Sequence, residues 1–131
     1  MNEKRNNLSE SKRYQGINDL NNDNLLSAII IGVTLLTIIG NNVYKRYYET
    51  GKVKYVEKSR IIYITGLIIA LGIYLIFEKS NYENLKNKVM NSDNPTPAFV
   101  RLVGSVLVVI GTLCFIYYQF NEEYPGGGPE D

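Results

Sequence analysis

Histidine is absent from this chain and cysteine occurs once, at Cys114. The side chains that most often carry proton transfer and metal ligation near neutral pH are therefore almost missing, and no intramolecular disulfide can form. The 13 acidic and 14 basic residues are kept out of three apolar blocks, 25–39, 61–77 and 102–118, which hold no charge at all. A membrane enzyme or pump usually carries ionisable groups on its spans. Here the nearest is Arg101, about one turn inside the third block if that block is extended backwards, where its long stem can carry the guanidinium to the headgroups. There is no carboxylate pair and no nucleophile beside a base. The three glycines 126–128 lie in a terminal tail with no helix after them, so they make no phosphate loop. No catalytic residue, cofactor or metal ligand is expected, and the chain does not read as an enzyme.

The one concentration of charge is basic. Residues 41–60 hold Lys45, Arg46, Lys52, Lys54, Lys58 and Arg60 against only Glu49 and Glu57, interleaved with Tyr47, Tyr48 and Tyr55. Beside a membrane, each such cation contributes about 1 kcal/mol of attraction to anionic lipid. These six residues and Arg101 are the expected contacts for lipid or an acidic partner, although a basic loop of this kind also arises simply to set topology. A nucleic-acid partner is not expected, because the stretch is short and carries no recognisable reader fold.

The elements that must carry these residues follow from the apolar blocks. Overall composition, 45% hydrophobic and 21% charged with a net charge of +1, is that of an ordinary soluble domain. Pooling of the apolar residues changes the reading. A bilayer core about 30 Å thick needs roughly 20 apolar residues of helix. The blocks approach this length when extended to about 25–44, 61–78 and 98–119. A soluble helix would keep a polar stripe at a period of 3.6, and residues 61–72 have none. Buried strands are about five or six residues long, far shorter than these blocks. Tyr44, Tyr47, Tyr48, Tyr63, Tyr74, Tyr117 and Tyr118 fall near block ends, where an interfacial aromatic belt lies. The first block starts 25 residues in, behind a mixed-charge tail and without a small-x-small site after it, unlike a cleavable signal peptide. The fold class is all-α: a polytopic membrane protein with three transmembrane helices, a short interfacial amphipathic helix and disordered polar tails.

Three domains of the chain are expected: a polar disordered tail over 1–24, the three-helix membrane domain over 25–119, and an acidic Pro/Gly-rich tail over 120–131. Basic residues nearest the first span lie on its C-terminal side, which predicts an N-out, C-in orientation. Ala28 and Gly32, Gly66 and Ala70, and Gly104 and Gly111 sit at spacings that let helix backbones approach, and they are the expected packing positions, within the chain or in a homo-oligomer. Ser80, Asn81, Tyr82 and Glu83 match a capping box, and Tyr82, Leu85 and Val89 share one face. That pattern suits either an amphipathic helix on the bilayer surface or a membrane-proximal extension of the second span. Thr96 and Pro97 suit the cap and first position of the third helix. Asn7, Leu8 and Ser9 form a glycosylation sequon, meaningful only if the N-terminus is lumenal in a eukaryotic cell.

Asn and Ile occur fifteen times each and Ala only three times, a bias expected of an AT-rich genome. Short spans suit a thin bilayer such as that of the endoplasmic reticulum, about 27 Å. The expected function is a non-catalytic structural or assembly subunit embedded in a membrane, with lipid and other membrane or capsid-type proteins as partners. The specific expectation is an internal-membrane virion protein of a large DNA virus. A supernumerary subunit of an organellar membrane complex fits the same sequence. In size and three-span, N-out, C-in layout the chain also resembles phage holins, which would imply oligomerisation through the helices into a pore. It departs from them in its acidic C-terminal tail and long N-terminal segment, and no span carries a polar stripe to line water.

Overall fold

A computed structural model describes residues 9–123 as three helices joined by short connections: α1 Glu10–Thr50, α2 Lys54–Met90 and α3 Thr96–Asn121. The described residues contain no strand. Each helix is long and apolar enough to cross a membrane, which is consistent with a multi-pass membrane protein. At 41, 37 and 26 residues, they measure roughly 60, 55 and 39 Å at 1.5 Å per residue. All three exceed a bilayer core of about 30 Å.

Three features differ from the sequence expectation. Residues 10–24, expected as a disordered tail, are the first turns of α1. Ser9 starts the helix: its Oγ accepts the Lys12 amide at 3.4 Å and its carbonyl accepts the Arg13 amide at 3.1 Å. No proline interrupts the stretch, and adding turns to an existing helix avoids the cost of nucleating one. Second, the basic loop is mostly helix, because only Gly51–Val53 separates α1 from α2. Gly51, at φ +71°, ends α1 and donates its amide to the Tyr47 carbonyl at 2.7 Å. Third, residues 80–90 continue α2 without a break, so the amphipathic stretch is an extension of the second span and Ser80 caps nothing. That helix ends in a Schellman arrangement. Asp93 donates to the Lys88 carbonyl and Ser92 to that of Val89, with Ser92 left-handed at φ 56°. At the start of α3, Thr96 is already helical and Asn94 Oδ1 takes its amide at 3.2 Å. Asn7 and Leu8 of the sequon, and the Pro/Gly-rich stretch 125–131, lie outside the described residues.

The chain divides into two compact units, Met1–Gly32 and Val33–Asp131. The first contributes the N-terminal half of α1, with Tyr14, Ile17 and Leu20 exposed. The second holds the C-terminal part of α1 with α2 and α3. Its buried positions on α2, Val56, Ser59, Gly66, Ala70, Ile73 and Asn81, join the half-buried Tyr63 and Phe77 in steps of three and four that form one seam. On α3 the matching seam is Ala98, Leu102, Ser105, Val109, Thr112, Ile116 and Gln119. A 3.5-residue repeat on both helices is the pattern of left-handed, shallow-angle packing. Arg60 meets Glu122 at one end of this pair, so α2 and α3 run antiparallel.

Small and hydroxylated residues (Ser59, Gly66, Ala70, Ala98, Ser105 and Thr112) share the seam with Val56, Ile73 and Val109, while Ile68, Leu107, Ile110 and Phe115 face outward. Ser59 is 1% exposed and Thr112 6%, whereas Leu107 is 62% exposed. A water-soluble bundle distributes these residue types the other way. In lipid the tails are as apolar as leucine, so burial of small residues and close backbone contact drive packing. Buried hydroxyls are satisfied within their own helix, Ser59 to Val56 O at 2.8 Å, Ser105 to Leu102 O at 2.7 Å and Thr112 to Val108 O at 2.8 Å. No described buried side-chain polar atom lacks a partner, as a span in hydrocarbon requires.

Candidate functional site

The end of the second unit that carries the Gly51–Val53 connection gathers most of its polar chemistry. Here the last turns of α1, the first turns of α2 and the last turns of α3 come together. Tyr63 on α2 donates its hydroxyl to Asn41 Oδ1 on α1, beside Gly40, which is buried. Only hydrogen at position 40 leaves room for the Tyr63 ring, since a Cβ there would stand 2.5 Å from Tyr63 Cε1. Further along α2, Gly66 faces the Val33 side chain and the Leu36 Cβ of α1. On the α3 side, Arg60 donates from Nη2 to the Glu122 carbonyl at 2.8 Å, and Tyr118 donates its hydroxyl to the Glu122 carboxylate at 2.6 Å.

Between these contacts lies an open cleft of about 410 Å³. Tyr63, Gly66 and Leu67 line it from α2. Val33, Thr37, Asn41 and Tyr44 line it from α1, and Phe115, Tyr118, Gln119 and Glu122 from α3. Its volume falls in the range of small-molecule sites, roughly 300–1,000 Å³. The lining is graded along the helix axes. Val33, Gly66, Leu67 and Phe115 are apolar, whereas the residues nearer the helix ends are phenols, carboxamides and one carboxylate. Among the described residues, no group of three or more His, Cys, Asp and Glu could share a metal ion.

Outside the cleft, the aromatic and basic residues at this end organise each other. Tyr44 stands one helical turn before the adjacent Tyr47 and Tyr48, and the three rings pack at centroid distances of 5.4–6.0 Å. Lys54 Nζ lies 5.2 Å and Lys58 Nζ 6.0 Å from the Tyr55 ring centroid, close enough for cation–π attraction. Lys45, Arg46, Lys52, Lys54, Lys58 and Arg60 are thus gathered on α1, its connection and α2 at one end. Arg101 is separated from them, exposed on the second turn of α3 at the opposite end of the α2–α3 pair.

The six small residues expected at packing positions have different surroundings. Gly66 and Ala70 are buried on α2. Ala28, Gly32 and Gly104 are exposed, and a Cβ at Gly32, Gly104 or Gly111 would meet nothing within 4 Å. Gly40, where helix contact is tightest, was not among the expected positions, and neither was the Tyr63–Asn41 pair. Gly40 does stand four residues before Tyr44 and next to Asn41, a carboxamide at the end of an apolar block, and that juxtaposition was a usable signal. No family model matches this chain, and no curated protein or solved structure was found to match it.

Proposed function

We propose that this chain is a non-catalytic, membrane-embedded subunit of a larger assembly. The observation that carries the proposal is apolar surface outside the apolar blocks. Tyr14, Ile17 and Leu20 on α1, and Tyr82, Val89 and Met90 on α2, are 57–74% exposed on helical turns flanked by polar residues. Lipid covers the outward face of a span, but these turns extend past it, where another protein surface or a headgroup layer has to shield them. The basic residues at the Gly51–Val53 end support an N-out, C-in orientation with that end on the cytosolic face. The short apolar blocks and the Asn- and Ile-rich composition favour a thin internal membrane, such as a virion membrane derived from the endoplasmic reticulum.

Photo-crosslinking amino acids placed at Leu20, Met90 and, as a lipid-facing control, Leu107 test this reading in native membranes. The expected result is one stoichiometric protein adduct from position 20 or 90 and lipid adducts from position 107. A chain that purifies in mild detergent as a partner-free monomer, with no protein adduct at either position, would falsify the proposal. Abrupt loss of membrane potential on expression in bacteria would instead favour a holin-like pore.

A further inference from the structure

We infer that the cleft between α1 and α3 is a binding site for one zwitterionic phospholipid whose headgroup carries an ammonium group. The inference requires the three helices to lie in a bilayer, but it is independent of any assembly partner. The cleft straddles the ends of the apolar blocks, where its lining passes from Val33, Leu67 and Phe115 to phenols, carboxamides and a carboxylate, and in a bilayer that change falls where acyl chains meet headgroups. An unfilled groove there would forfeit packing contacts along its apolar walls, so a lipid chain is the occupant at hand. Val33, Leu67 and Phe115 provide the chain-contacting part.

The polar part selects the headgroup. Among its lining residues, Glu122 is the single charged side chain; Tyr118 donates its hydroxyl to the carboxylate, Tyr44 lines the same end, and Arg60, outside the lining, holds the Glu122 backbone carbonyl. A carboxylate with aromatic neighbours is complementary to a cation, and phenol rings attract alkylammonium groups through their faces. About one turn deeper than Tyr44 and Glu122, respectively, stand Asn41 and Gln119. The Asn41 carboxamide oxygen already accepts the Tyr63 hydroxyl, which leaves its amide N–H groups to donate. Donors placed deeper than the carboxylate match the order of groups in a phospholipid, with phosphate nearer the chains and ammonium beyond it. A headgroup bearing only negative charge would bring no cation to Glu122 and could offer its carboxylate only neutral hydroxyl donors. Choline and ethanolamine share the ammonium chemistry. Choline is held by the aromatic faces and by the charge of Glu122 without a hydrogen bond, and ethanolamine adds N–H donation to Glu122.

The test is native mass spectrometry of the full chain after extraction from nanodiscs of equal phosphatidylcholine, phosphatidylethanolamine and phosphatidylglycerol. One retained lipid per chain is expected, with the two zwitterionic lipids together enriched at least fivefold over phosphatidylglycerol. Tyr118→Leu should cut choline retention more than ethanolamine retention, and Glu122→Gln should cut ethanolamine retention more. Thr37→Phe, which adds a ring to the cleft wall, should empty the site while circular dichroism shows unchanged helix content. Retention of phosphatidylglycerol in equal or greater amount overturns the inference. So does a wild-type chain that keeps no lipid, or lipid retention unaffected by Thr37→Phe.

Discussion

Replacing Gly40 by Ala adds one methyl group at the point where α1 meets α2 most closely. The new Cβ would lie 2.5, 2.9 and 3.1 Å from Tyr63 Cε1, Cδ1 and Cζ. Carbon atoms pack best at about 3.5–4.0 Å, so the ring must withdraw by about 1 Å. It cannot do so freely, because its hydroxyl is tied to Asn41, the residue next to the new methyl. Overpacking costs about 1–3 kcal/mol, and an interhelical hydrogen bond in a membrane contributes about 0.6 kcal/mol on average. Alanine recovers up to about 1 kcal/mol over glycine inside a helix. The net expectation is a loss of about 1–3 kcal/mol. Reversible unfolding by SDS titration in mixed micelles, followed by circular dichroism, measures it. Gly72→Ala and Gly104→Ala serve as controls, since a Cβ at either position meets nothing within 4 Å. On a Tyr63→Leu background the ring is gone and Gly40→Ala should cost almost nothing, the signature of direct coupling. Gly40→Ala behaving like the controls would refute the close approach. An undiminished cost on the Tyr63→Leu background would refute the assignment of that cost to Tyr63.

The other expectations use similar measurements. Ser92→Gly relieves a left-handed residue at φ 56° and should raise stability by a few tenths to about 1 kcal/mol in the same titration; a decrease would contradict the Schellman ending of α2. Ala70, 5% exposed in the α2 seam, should lose about 1–3 kcal/mol on change to Leu, whereas Ile69→Leu on the 40% exposed face should change little. In a Cys114→Ser background, a cysteine at Ile68 should resist a membrane-impermeant maleimide in intact membranes, while one at Tyr14 reacts from one side only. Free labelling at position 68 would remove the second span, and the side from which position 14 reacts decides between N-out and N-in.

Local composition determined the number and placement of the membrane-length helices. An uncharged apolar run of this length has few folds open to it, because each backbone amide and carbonyl in lipid must bond within its own helix. Composition also located the cluster of cations around the α1–α2 connection, since six basic residues within 20 positions stay near each other in any antiparallel pairing. Tertiary structure decided the rest. Where α1 begins and where α2 stops depended on whether polar turns propagate from an established helix, and for Glu10–Asn24 and Ser80–Met90 they do. Which small residues pack depended on helix rotation. Gly32, Gly66 and Gly104 look alike in sequence because lipid and protein interior are equally apolar, leaving no amphipathic pattern to mark the inner face. Only the α1–α2 contact distinguishes Gly66, against Val33, from Gly104, which faces open space. The cleft is equally a product of assembly. Asn41, Tyr63 and Glu122 are separated by 22 and 59 positions in the chain, and they line one groove because α3 returns antiparallel along α2 beside the end of α1.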